Sequence, residues 1–408
     1  MASLTLLSTL AWRNLWRHTR RTVVMIFALA LGVWAMVAMA AFVRGWMGQY
    51  IHKEIMNLTG HVQIHAPGYR DDPAIAHRLP PPSPALAQVL DAAPVTAWDA
   101  RVRVPGVIAS ERESAGLTIV GIDPSAERGL SFIDGAIVQG RDLESAKDTG
   151  VVIGRKLAER LETRVGRRIV LMSQDAHNEI ADRGFRIVGI FQAEPEAVET
   201  GFAFIGRRVA QEMLKIGDDV SEIAIMTSDR DQLDALVAML RAAVPGMDVA
   251  PWTEIRPILV LSEKVNNVVL LIWFAVVFAA MSFGLINTLL MAIFERTREF
   301  GLFQALGMPP RYILQQVLLE SLILLVIGLV VGNLASWLTV AGLHDGIDLS
   351  RFAEGLALVG VSPVIYPKLA NTDIVAANTI VVVLGILASL YPAWRAARRV
   401  PVEAITRV

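Results

Sequence analysis

The sequence has no cysteine in 408 residues. Disulfides and thiolate metal sites are excluded, and a chain of this kind suits an oxidising periplasm. Lysine is scarce too, confined to Lys53, Lys147, Lys156, Lys215, Lys264 and Lys368. None follows a glycine. A Walker A loop, in which backbone amides and a Gly-Lys lysine hold phosphates, therefore cannot be assembled, and any ATP must be hydrolysed on another chain. Neither G-x-S-x-G nor H-E-x-x-H occurs, and no catalytic residue is assigned. Charged residues make up only 19% of the chain, and they are unevenly spread.

What the chain has is apolar length. Four uncharged runs, Val23–Val43, Val265–Phe294, Ser321–Leu343 and Ile374–Trp394, each reach the roughly 20 residues a spanning helix needs. The first follows Arg20 and Arg21 and contains Ala38-Met39-Ala40, which resembles a signal-peptidase site. Its length exceeds that of a signal-peptide core, and helical periodicity continues through Arg44 to Met56, so a retained span is expected. The segments before span 1, between spans 2 and 3, and after span 4 hold 11 basic residues, whereas residues 44–264 hold 25 basic and 31 acidic ones. The positive-inside rule then places both termini in the cytoplasm and residues 44–264 and 344–373 outside.

The expected fold class is an α-helical membrane protein with four transmembrane helices and a large mixed α/β extracytoplasmic domain between helices 1 and 2. Its parts are a cytoplasmic interfacial helix (1–21), spans at 22–43, 265–294, 311–343 and 374–394, the outer domain (44–264), a short cytoplasmic helix (295–310), an outer loop (344–373) and a cytoplasmic tail (395–408). In the outer domain, apolar or alternating runs predict strands at His61–His65, Leu117–Ile122, Ile169–Met172, Phe185–Phe191, Phe202–Ile205 and Glu222–Met226. Helical spacing occurs at Arg155–Leu161, Arg207–Leu214 and Asp231–Ala243. The proline-rich stretch Leu79–Pro84 reads as an extended connector. His61 and His65 share a strand face but lack a third ligand, so a surface pair is expected rather than a metal site. Glu194, Glu196 and Glu199 read as a solvated loop.

Three segments on the cytoplasmic side carry the most information. From Leu4 to Arg20, Leu7, Leu10, Ala11 and Leu15 share an apolar side bordered by Trp12 and Trp16, opposite Arg13, Arg17 and Arg20. This describes a helix lying in the membrane interface. Directly after span 2, Glu295, Arg296, Arg298 and Glu299 precede Phe300, Phe303 and Leu306 at helical spacing. Gly307, Pro309 and Pro310 end that helix. A short amphipathic helix of this kind suits docking into a groove on a partner. In the third, Tyr391 to Ile405, Pro392 can kink the end of span 4, and a short helix can begin at Pro401.

Together these segments resemble the FtsX, MacB and LolC/LolE group of ABC transporter permeases. The motifs that carry the likeness are ERTREFGLFQALG, which resembles the coupling helix, and YPAWRAARRVPVEAI near the end. TGHVQIHAPG, LTIVGIDPSAERGL, GVVIGRKLAERLETRVGRRIVLM and FRIVGIF resemble the LolC/LolE branch. The resemblance implies a permease that couples two copies of a separate ATPase, with ATP and Mg on that partner, to motion of the outer domain. It also implies a second permease, identical or homologous, and extraction of lipoproteins from the bacterial inner membrane. A MacB-like efflux or peptide-export permease and an FtsX-like signalling scaffold for a cell-wall hydrolase are built from the same parts. Membrane lipids are expected neighbours and nucleic acid is not. In LolC a hook recruiting the lipoprotein chaperone lies between the strands matching Ile169–Met172 and Phe185–Phe191. Here Ser173 to Gly184 is short and polar, with Ile180 its one apolar anchor.

Inside the bilayer, Gly328, Gly332 and Ser336 on span 3 and Gly385 and Ser389 on span 4 recur every four residues, a pattern that permits close helix packing, here expected within the chain. Glu320 is the one acidic residue adjoining a span interior, where a hydrogen-bonded structural role is expected and a coupling role is the alternative. A lateral acyl-chain opening would be lined by Val37, Ala41, Val268 and Leu271.

Overall fold

In the computed structural model, residues 4–229, 232–352 and 363–397 are described, with the side chains of 4–7 and Phe303 excepted. They fall into two compact units. One holds the residues up to Gly48, Glu263–Ser350 and those from Val364 onward, and the other is built on Gln49–Ser262.

In the first unit, α1 (Leu4–Arg17) is followed after His18 by α2 (Thr19–Glu54). The remaining long helices are α9 (Pro257–Glu295), α11 (Pro310–Gly342) and α12 (Asn371–Ala397), with the short α10 (Thr297–Ala305) between α9 and α11. Four of these, α2, α9, α11 and α12, are long and apolar enough to cross a membrane. Both α2 and α9 overrun their apolar runs, because the flanking polar residues keep helical propensity and Pro257 is preorganised for a first turn. Helix α12 continues past Pro392 to Ala397. The helix expected from Pro401 lies outside the described residues.

The small-residue stripe packs within the chain. A Cβ added at Gly328 would lie 2.7 Å from Leu29 Cβ, and one at Gly332 would lie 2.6 Å from Val33 Cβ and 2.7 Å from the Ala30 carbonyl. At Gly385 the same atom would meet Leu325 at 2.8 Å. Leu29, Val33, Met36, Val37, Phe274, Leu325 and Val381 form the core that these approaches close around. A strap between α11 and α12 carries β11 (Ile347–Asp348) paired with β12 (Val364–Ile365). It grips α2 where Lys368 N–H donates to the Ala41 carbonyl at 2.9 Å and Arg44 donates to both Asp373 oxygens at 2.7 and 2.9 Å.

The second unit is mixed α/β. Strands β1 (Val62–His65) and β2 (Val95–Ala109) flank α3 (Pro84–Leu90), and β9 (Glu222–Thr227) and β10 (Asp248–Pro251) flank α7 (Leu233–Ala243). They interleave in the antiparallel order β10-β1-β9-β2, a pair of split βαβ units. The far half of β2 enters a closed ring with β3 (Ser114–Ile122), β8 (Phe202–Gly206), β5 (Gly150–Gly154), β7 (Ile180–Phe191) and β6 (Arg168–Gln174), which pairs back onto β2. The outer strand β4 (Ile137–Gly140) borders β7. Val120, Ile122, Val152, Phe191 and Phe204 fill the ring. The helices α4 (Arg155–Arg160), α5 (Glu196–Gly201), α6 (Arg207–Leu214) and α8 (Trp252–Ile255) complete the unit.

Three expectations need correction here. His61 and His65 are buried, not surface residues, because β1 is paired on both sides. His61 Nδ1 accepts the Thr227 N–H at 3.1 Å. Glu199 is buried and accepts the N–H groups of Lys156 and Ala193 at 2.9 and 3.1 Å, so it is a clamp rather than a loop charge. The proline-rich connector ends sooner than expected, since Ser83 caps α3 and Pro84 occupies its first turn.

Charge is buried at the join between the two sheets. Arg101, with no exposure, donates to Glu127, to Glu222 at 3.3 Å and to the Leu58 carbonyl at 3.0 Å. Next to it Asp99 accepts from Arg207 at 2.7 Å. Burial, reinforced by Glu127, pushes Asp99 up to about 7. A raised carboxylate pKa means that the folded state holds a proton the unfolded chain releases near pH 4, so stability falls as pH rises from about 4 to 7. Asp99→Asn keeps the acceptor for Arg207 and is expected to flatten that fall. Hydrogen exchange of the β2 and β9 amides in the full chain, corrected for intrinsic rates, measures it, and an unchanged pH slope would contradict the assignment.

Candidate functional site

The sequence pattern after span 2 points to the end of α9, and the structure gathers a polar junction there. Helix α9 stops at Glu295 because Arg296 leaves helical geometry, and α10 starts at Thr297. Gly307 at a positive φ of 92° and the Pro309–Pro310 pair then turn the chain into α11. Glu320 lies about 15 Å along α11 at 1.5 Å per residue. Its carboxylate accepts Arg296 Nη1 at 2.9 and 3.1 Å, Asn14 Nδ2 at 3.0 Å and Gln316 Nε2 at 3.3 Å. Glu320 and Arg296 are both buried. One carboxylate thus joins α1, the α9–α10 break and α11.

Two further ion pairs run alongside. Arg17 meets Glu299 at 2.6 Å and Arg21 meets Glu295 at 2.5 Å. Two basic residues four apart face two acidic residues four apart, in opposite chain directions. Arg296 also reaches Glu299 at 3.3 Å, and its guanidinium lies 5.0 Å from the Phe300 ring centroid. These exposed pairs are individually worth little; as a ladder, Arg17–Glu299 ties α1 to α10 and Arg21–Glu295 ties the start of α2 to the end of α9. Asn14, Arg17, Arg21 and Gln316 were not among the residues the sequence singled out for coupling. The matching four-residue spacing of the two charge pairs was the available signal.

The predicted docking residues separate into two faces of α10. Phe300 is 3% exposed and packs with Ile293, Ile313, Val317, Ala393 and Ala396. It anchors α10 to α11 and α12 instead of facing a partner, because the small side chains of Ala393 and Ala396 leave room for its ring. Glu295, Arg296 and Glu299 are committed to partners in the chain. Arg298, Leu302, Ala305 and Leu306 are exposed, on one face by their spacing, with Leu306 at 77%. The side chain of Phe303 lies outside those described.

The lateral opening is divided as well. Val37 and Ala41 are 2% and 1% exposed, packed inside the helix bundle, so they cannot line a lipid-facing surface of this chain. The heptad-like face that buries Val33 also carries Val37, and the strap covers Ala41. Val268 and Leu271 on α9 are more than half exposed. The apolar face that α2 does leave open carries Val23, Val24, Phe27 and Leu31. In the hairpin matching the hook, the Asp175 carboxylate accepts the N–H groups of His177 and Glu179 and pairs with Lys215 at 2.7 Å, which pins the tip and leaves Ile180 exposed. No group of three or more metal-ligating side chains occurs among the described residues.

Residues 22–243 match the family described as the MacB-like periplasmic core domain, and residues 271–401 match the FtsX-like permease C-terminal family. The lipoprotein-releasing system transmembrane protein LolC of Xylella fastidiosa is 23% identical, over 93% of this chain and 92% of its own length. That of Neisseria meningitidis is also 23% identical, over 94% and 93%. The macrolide export ATP-binding/permease protein MacB of Acinetobacter baylyi is 25% identical over 96% of this chain but only 58% of its own length. With a MacB-like core domain covering more than half the chain, an FtsX-like permease region after it and four membrane-length helices in the matching places, the chain belongs to the FtsX/MacB/LolC group of ABC transporter permeases.

Proposed function

We propose that this chain is the permease of a lipoprotein-releasing ABC transporter of the bacterial inner membrane, with both termini cytoplasmic and the α/β unit outside. The observation that carries the reading is the division of α10 into a locked face and a free face. A coupling helix must be rigidly attached on one side and available on the other. Phe300 and the Glu320 junction supply the attachment, and Arg298, Leu302, Ala305 and Leu306 supply the docking surface for an ATPase that carries ATP and Mg. The junction makes α1, α10 and α11 one piece, so force on α10 reaches the spans directly.

Release of lipoproteins is supported by the matches with LolC proteins over 93% and 94% of this chain. MacB-like export is the second reading, supported by an equally complete match on this chain's side. In the first reading, two ATPase copies and a second permease complete the transporter, and acyl chains reach it along the exposed outer part of α9. Ile180 alone offers little to a chaperone, so recruitment of that partner falls to the second permease.

Three outcomes test this. Arg298→Glu combined with Leu306→Ala should abolish stimulation of the partner ATPase while leaving thermal stability unchanged, whereas Phe300→Ala should destabilise the bundle by about 3–5 kcal/mol. Full stimulation in the double variant would move the docking face elsewhere. Glu320→Ala leaves the buried Arg296 with Glu299 alone and should cost about 3–5 kcal/mol, with Glu320→Gln in between, read from thermal unfolding in detergent. Photo-crosslinkers at Val268 and Leu271 should capture triacylated protein, and one at Val37 should not. Depletion of the chain with normal lipoprotein sorting would reject the lipoprotein reading in favour of another cargo.

A further inference from the structure

In the α/β unit, the turn between β2 and β3 and the loop between α4 and β6 meet at a cavity of about 280 Å³. Arg112 from the turn and Arg164, Arg167 and Arg168 from the other side line it, against two carboxylates, Glu111 and Glu162. Arg112 is paired with Glu162. Arg164, Arg167 and Arg168 are exposed, and their side chains make no hydrogen bond or ion pair among the described residues. Arg168 also stands directly opposite Arg186 in the β6–β7 ladder, a like-charge pairing that works against the strand register. A surface that serves solubility alone intersperses both signs, whereas this fold gathers one sign at one place.

The walls of the cavity are held. Ser110 N–H donates to the Glu113 carbonyl at 2.8 Å, and Ser110 Oγ accepts the N–H groups of Arg112 and Glu113 at 3.2 and 3.0 Å, which closes the β2–β3 turn. On the other side, Arg167 N–H donates to the Arg164 carbonyl at 3.1 Å, so these two arginines stand at the ends of one tight turn. Gly166, at a positive φ of 90°, fastens that turn to β7. Its N–H donates to the Ile187 carbonyl at 2.8 Å, and its carbonyl accepts Arg186 Nη1 at 2.9 Å. Arg186 is thereby kept beside the loop and adds a fifth positive charge. The Arg112–Glu162 pair ties the two sides together.

We propose that this cavity is a binding site for a phosphate group. Phosphate brings the negative charge that two glutamates do not supply, and enough oxygens to accept from several guanidinium groups at once. The Thr163 hydroxyl, also on the cavity and without a partner among the described residues, adds a neutral donor. A carboxylate has two oxygens and a single charge, and meets less of the requirement. Inorganic phosphate, soluble phosphate esters and phospholipid headgroups share this chemistry.

The test is a phosphorus NMR titration of the full chain in dodecyl maltoside, a detergent without phosphorus. Salt is kept at about 0.15 M, where a diffuse ion atmosphere is screened. Inorganic phosphate should bind saturably, and acetate should displace it only at tenfold or greater excess. Arg164→Gln combined with Arg167→Gln should weaken phosphate at least tenfold with the unfolding transition unchanged, since both side chains are exposed. Glu162→Gln removes a carboxylate and releases Arg112, and should tighten binding at least threefold. Arg128→Gln, at an exposed arginine that does not line the cavity, should leave binding as it is. Dihexanoylphosphatidylglycerol that binds tighter than glycerol phosphate, with both lost in the double variant, assigns the group to a lipid headgroup, and equal or weaker binding assigns it to a soluble phosphate. No saturable binding, displacement by acetate at equal concentration, binding that survives the double variant, weakening by Glu162→Gln, or an equal loss in Arg128→Gln would overturn the proposal. So would a phosphate-free acidic peptide that binds tighter than inorganic phosphate.

Discussion

The membrane unit depends on one buried ion pair. A carboxylate at a span's centre costs about 2.5–3.5 kcal/mol on insertion scales, less toward the interface. Glu320 offsets that cost by accepting from three different side chains, each from a different part of the chain. The pair need not add net stability, since apolar replacements of buried pairs are often neutral or better. What it adds is a geometric condition. Arg296 can reach Glu320 only if α9 breaks at that residue, and the break sets the direction of α10. Asn14 can reach it only if α1 lies against α11. The Arg17 and Arg21 pairs then close the ladder, and Phe300 closes the apolar side. Helix α10, the proposed coupling helix, is held here by a polar and an apolar anchor at once.

The α/β unit solves a related problem with the same means. Strand β2 serves two sheets, so its middle is surrounded on all sides and cannot reach water. The charged side chains Asp99 and Arg101 are nevertheless placed there, and the cluster with Glu127, Arg207 and Glu222 compensates them. A one-residue slip of β2 would turn these charges to the opposite face, so the cluster specifies register where hydrophobicity alone would not.

Much of this architecture is legible in the sequence, for physical reasons that differ by element. The four spans are visible because lipid demands long uncharged runs, and strands such as β8 and β9 because they are short apolar runs. Strand β2 was missed because Asp99, Arg101, Arg103 and Pro105 interrupt its alternation, and only the distant partners Glu127, Glu222 and Arg207 make those charges tolerable. The α10 sequence marks an amphipathic helix, but which apolar residue faces inward depends on small residues on α12, Ala393 and Ala396, that no local pattern reveals. Val37 and Ala41 look lipid-facing because every side of an apolar span has the same composition. Burial there is decided by Gly332 and by the strap from Tyr366 to Lys368, both far away in sequence.

The central claim is that α1 and α10 form one piece through the transport cycle, fastened at Glu320. The absence of native cysteine allows paired spin labels at Arg13→Cys on α1 and Thr297→Cys at the start of α10, both off the proposed docking face, with no background labelling. The most direct measurement is the distance between those labels by pulsed electron resonance, with the partner ATPase first nucleotide-free and then trapped in its ATP-bound state. The account expects one narrow distance distribution that does not shift between the two states and broadens in Glu320→Ala. A distance that changes with nucleotide while Glu320 is intact would contradict it.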